Sequence, residues 1–132
     1  MGKKVKNNQR KDPLTNVKTM GREGMRIMKD IAYGNFNFYN EGHIFRNLDF
    51  VKAIIAEIDK RLTDLHIHIT GIRYAYGNSN DPAVANLLYR DQRSYEAYSL
   101  MKETMYRILM SGGDTGFLLV LCNKLPAYKY NL

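Results

Sequence analysis

The sequence predicts an all-α protein: an antiparallel bundle of about four helices with a flexible, basic N-terminal arm. Three observations lead there. Apolar residues from Val51 to Tyr76 alternate spacings of four and three without a miss, a heptad seam rather than a strand pattern. Helix start and stop residues bracket each periodic stretch. The net charge of +7 is confined to the first 29 residues, where Lys3, Lys4, Lys6, Arg10, Lys11, Lys18, Arg22, Arg26 and Lys29 face only Asp12 and Glu23. From Asp30 to Leu132 eleven basic residues balance eleven acidic ones, so a basic segment precedes a neutral body.

Residues 1–15 are rich in Lys, Asn and Gln and contain Pro13, too polar to bury the apolar surface that would offset ordering. They are expected to form the arm, with 16–125 as the bundle and 126–132 as a C-terminal tail. Beyond Thr15 or Asn16, Val17, Met20, Ile27, Met28 and Ile31 recur at helical spacing, and Gly34 can supply a left-handed stop. Gly21 and Gly24 weaken this helix by about 1 kcal/mol each relative to Ala but leave room for a close neighbour. Asn35 to Gly42 is an Asn- and aromatic-rich loop whose rings should pack under or between helices.

Asn47 is a good cap for the longest helix, whose seam is Val51, Ile55, Ile58, Leu62, Leu65, Ile69, Ile72 and Tyr76. About 30 residues at 1.5 Å each give a spine of roughly 45 Å, ended at Gly77. Asp81-Pro82 restarts a helix, an acidic cap followed by proline at the first helical position. Val84, Leu87, Leu88, Tyr95, Tyr98, Met101, Met105 and Ile108 mark a helix, or a helix pair broken near the charged Arg90-Asp91, that stops at Ser111-Gly112-Gly113-Asp114. Phe117 to Leu121 is apolar on every side, which predicts a buried short helix or strand, or a subunit interface.

The length of 132 residues suits one domain with a real core. The lone Cys122 rules out an intramolecular disulfide framework and fits a reducing compartment. The charged start has no apolar stretch behind it and no run could span a bilayer, so a cytoplasmic protein, with a virion as the alternative, is expected. Met1-Gly2 is not a myristoylation start, because Lys6 stands where Ser or Thr is needed.

No catalytic constellation emerges, and neither a cofactor nor a metal is expected. His66 and His68 would point about 200° apart on a helix and could not chelate one ion. His68-Ile69-Thr70 matches one half of a paired His-x-Thr phosphodiesterase signature, but no second half follows. Ser111 to Gly116 lacks the Lys-Ser/Thr ending of a phosphate-binding loop and reads as a helix stop and turn. Cys122 sits in an apolar run with no activating His, and Glu57, Asp59 and Asp64 beside Lys60 and Arg61 read as a solvated face. Ten tyrosines in a helical chain without tryptophan are expected to serve packing.

The basic segment is the candidate site. Lys18, Arg22, Arg26 and Lys29 recur at spacings of four, four and three, which puts them in one stripe opposite the apolar face of the first helix. Such a stripe, continuing the arm's Lys3, Lys4, Lys6, Arg10 and Lys11, fits RNA or DNA, because each Lys or Arg that neutralises a phosphate releases a counterion.

Residues 19–112 resemble the accessory variability determinant of diversity-generating retroelements. One matching patch is Thr19-Met20-Gly21-Arg22-Glu23; the other is Tyr95-Glu96, Met105, Arg107-Ile108-Leu109 and Ser111-Gly112. The chain departs from that family by an extra segment, Asn78 to Gln92, and by the stretch beyond Gly113. The resemblance implies four helices assembled into a ring-shaped homopentamer, a homo-oligomer that partners a reverse transcriptase and binds its template RNA during error-prone copying of adenines. It implies no catalysis by this protein itself, and makes Met20, Gly21, Gly24 and the apolar C-terminal run candidates for helix and subunit packing. A different class, a small structural protein of a virion or other nucleoprotein assembly, fits the same charge distribution.

Overall fold

The computed structural model describes residues 16–132, which are helical throughout apart from short connections, with no strand among the described residues. Helix α1 is Val17–Ala32, opened by Asn16, whose side-chain oxygen accepts from the Thr19 amide at 3.1 Å. The left-handed Gly34 (φ 76°) closes it, as its spacing predicts. A one-turn helix α2, Phe38–Glu41, and a 3-10 turn, Gly42–Arg46, carry Phe45 into the core. Helix α3 is Leu48–Tyr76, with the Asn47 side chain accepting from the amides of Asp49 and Phe50. Helix α4 is Pro82–Met110, capped by Asp81 through the Ala83 amide at 2.9 Å. Gly112 and Gly113, at φ 75° and 110°, end α4 where a side chain would be strained. A 3-10 turn, Thr115–Phe117, then leads into helix α5, Leu118–Lys124, and a final 3-10 helix, Leu125–Asn131.

The two long helices pair antiparallel. Asp59 bonds Lys102 at 2.6 Å, the Arg61 guanidinium lies over the Tyr98 ring, and His68 Nδ1 is 2.5 Å from Asp91 Oδ2. As numbers rise along α3 they fall along α4. Helix α1 packs on α3, and the C-terminal 3-10 helix lies against both α1 and α4. Met28, Ile31, Phe45, Phe50, Ile54, Ile58, Met101, Met105, Ile108, Leu118, Leu121 and Leu125 are fully buried between these elements. Each such side chain contributes about 1.5–3 kcal/mol relative to exposure. Phe36, Phe45 and Phe50 meet edge to face, and Phe36 and Phe38 of the aromatic loop pack half-buried against the core, while Tyr39 points outward.

Several expectations change. Helix α4 runs unbroken through Asp91, whose buried Oδ2 lies against His68 of α3 rather than in solvent. Phe117–Leu121 becomes the 3-10 end and start of α5, burying Leu118 and Leu121 while Leu119 and Val120 stay about half exposed. Residues 126–132 dock rather than trail: Arg93 donates to the Ala127 carbonyl at 2.9 Å and stacks 4.0 Å over the Tyr128 ring, and Ser94 donates to the Asn131 carbonyl. The basic arm, with Lys3, Lys4, Lys6, Arg10 and Lys11, lies outside the described residues.

The glycines of α1 act as the sequence suggested. A Cβ on Gly24 would run into the Ile54 side chain, which is itself fully buried, and one on Gly21 would lie 2.6 Å from Glu57 Cγ. Gly24→Ala should therefore destabilise the protein by about 1–3 kcal/mol, although alanine favours helix by about 1 kcal/mol. Urea unfolding checks the sign. A higher midpoint than wild type would show that α1 and α3 are not in contact at this position.

Candidate nucleic-acid interface

Helix α1 buries Met20, Gly21, Gly24, Ile27, Met28 and Ile31 on one side, and this seat determines what the other side presents. Lys18, Arg22, Arg26 and Lys29 are all exposed on that outer side, as their spacing predicts. They are not equivalent. Arg26 is clamped by both neighbouring acids: Nε and Nη2 donate to Glu23 at 2.6 and 2.8 Å, and Nη1 donates to Asp30 at 2.6 Å. The hydrogen bond from Arg26 holds the Glu23 carboxyl below its usual range, and the bond to Glu23 raises the guanidinium further above its own. Exposed pairs of this kind are worth about 0.2–1 kcal/mol each. Their main effect is local neutralisation.

Among the described residues, Lys18, Arg22 and Lys29 make no ion pair. At 1.5 Å per residue they stand about 6 and 10 Å apart along the axis, within about 40° of arc. Asp30, which opens the neutral body when charges are counted along the chain, belongs spatially to α1 and offsets part of the stripe. The helix thus carries four basic residues against two acidic ones, Glu23 and Asp30, a net +2. The i,i+3 and i,i+4 spacing of these acids from Arg26 was the available signal for the clamp.

The other candidate motifs come together in no shared site among the described residues. His66 and His68 diverge to opposite sides of the α3–α4 pair, and no cluster of three His, Cys, Asp or Glu residues among the described residues could hold a metal. The amides of Gly112 and Gly113 are spent on the carbonyls of Leu109 and Ile108 at 3.1 and 2.8 Å, so they close α4 instead of cradling an anion. Glu57 and Asp59 are paired with different cations, Glu57 with Lys60 and Arg61 and Asp59 with Lys102. Burial works against ionisation of Glu57, but the bonds from Lys60 and Arg61 outweigh it and hold the carboxyl low. Half-buried Cys122 has its thiol pushed up by burial, the opposite of an activated nucleophile. The tyrosines correct the sequence reading. Tyr98 is packed and Tyr128 partly so, but the other eight are substantially exposed, up to 93% at Tyr74.

No known protein family, curated protein or solved structure matches the chain. No helix among the described residues is long and apolar enough to cross a membrane.

Proposed function

We propose that the protein is a non-enzymatic, homo-oligomeric RNA-binding accessory factor of the kind that partners a retroelement reverse transcriptase during template copying. The observation that carries this reading is the row Lys18, Arg22 and Lys29, unpaired among the described residues, on a helix packed against α3. Five further cations precede it in residues 1–15. Such a row meets phosphates along a backbone and needs no base-edge contact, which suits a structured RNA recognised by shape and charge. The polymerase would carry the chemistry. The neutral, tyrosine-bearing body also supports a second reading, a structural component of a virion or similar assembly, in which the basic segment touches packaged nucleic acid.

Anisotropy titration of a labelled hairpin RNA with the full chain tests the proposal. Affinity should fall steeply and log-linearly with salt, and vary little with RNA sequence. Absence of binding at low salt would remove the RNA assignment.

A further inference from the structure

The paired helices α3 and α4 form a layer with two broad sides, and the other described elements cover one of them. Helix α1, α5 and the C-terminal 3-10 helix touch one another as well as the long helices, so all three share a side. Among the described residues no helix packs on the opposite side. At 100° per residue Tyr95, Tyr106 and Met110 of α4 fall within about 60° of arc, turned roughly a quarter circle from the line to α3. They are 37%, 42% and 83% exposed. Asp59, His66 and Arg73 rise beside them on α3 at seven-residue intervals. Between the two rows runs an open groove of about 390 Å³ lined by His66, Ile69, Arg73, Gln92, Tyr95 and Glu96. A separate cavity, lined in part by Arg61, Arg90 and Tyr130, lies on the covered side beside the C-terminal segment.

We propose that the face opposite α1 seats a second copy of the chain, the two helix pairs packing face to face about a twofold axis. Dimensions support it. Helices of 29 residues are about 43 Å long. Two of them side by side, with axes about 8–10 Å apart, present a strip about 18 Å wide. That is close to 800 Å², the area each partner of a standard stable interface contributes. Charge supports it too. Arg73 and Glu96 both line the groove and Asp59 pairs with Lys102 beside it, so the face mixes both signs and neither repels its own image nor attracts a polyanion. The α1 stripe, with Lys18, Arg22 and Lys29 beside the clamped Arg26, is the reverse case. Exposed Tyr and Met are the residue types that interface cores favour.

The pairing gives the homo-oligomer of the proposed function a specific interface but does not depend on RNA binding, and it is tested without RNA. Sedimentation of the full chain over about a hundredfold range of concentration should show a dimer that dissociates by mass action. Joint Tyr95→Glu and Tyr106→Glu replacement should give a monomer with unchanged helical circular dichroism, because both side chains reach solvent. Tyr39→Glu, on the 90% exposed residue of α2, should leave the dimer intact. A wild-type monomer at every concentration, an assembly with an odd number of subunits, or a dimer indifferent to the double replacement would overturn the proposal.

Discussion

Ile58→Asp is expected to abolish cooperative unfolding altogether. Ile58 is fully buried on α3 within the cluster that α1 and α4 close over. The substitution removes about 2–3 kcal/mol of apolar burial and leaves a carboxylate that must either stay charged in a dry site or pay to become neutral, a cost of several kcal/mol. Together these approach the whole net stability of about 5–15 kcal/mol that a domain possesses. Ile67→Asp makes the same chemical change nine residues further along the same helix, where the side chain is 64% exposed. It should alter stability by no more than about 0.5 kcal/mol. Thermal melts followed at the helical signal separate the two, and equal melting temperatures would mean that α3 presents a different face to the core.

The second large effect falls on binding. Joint replacement of Lys18, Arg22 and Lys29 by Gln should leave the fold intact, since all three are exposed and unpaired among the described residues. If each contacts one phosphate, the slope of log affinity against log salt should flatten by about 2–3, at 0.7–0.9 per contact. Between 50 and 200 mM salt that is a sensitivity smaller by about 20–40-fold. Arg26→Gln is the internal contrast. Its charge is already spent on Glu23 and Asp30, so the slope should stay within about 0.3 of wild type. A slope that falls equally for Arg26→Gln and for Arg22→Gln would show that phosphate displaces the clamp. A triple variant with an unchanged slope would place the binding surface elsewhere.

What the sequence revealed was periodic and local. The seam from Val51 to Ile72, the caps Asn47 and Asp81, and the glycine stops all act within a few residues along the chain, and each is found in place. What it concealed depends on residues far apart. Arg90-Asp91 looked like a break because two charges interrupt an apolar face, yet the partner of Asp91 is His68, on the other long helix. Tyrosine carries both an apolar ring and a polar tip, so composition alone could not say that most of these rings face outward. The stripe on α1 was legible as geometry but not as charge. Its net value depended on Asp30 and Glu23 reaching the same guanidinium, a spacing pattern that was open to inspection.

The docking of Leu125–Asn131 against α1 bears on the order of events during synthesis. Helix α1 leaves the ribosome early, but the last wall of its seat lies about ninety residues downstream, a wait of about 5–20 s at ordinary translation rates. The α3–α4 hairpin, whose contacts are the more local, can close during that interval. A basic helix without its seat is a poor place to bind anything with a fixed shape. The seat of the cationic helix is therefore completed last, and a nascent chain stalled before Leu125 would carry the charges on a helix that rests on α3 but still lacks its final wall.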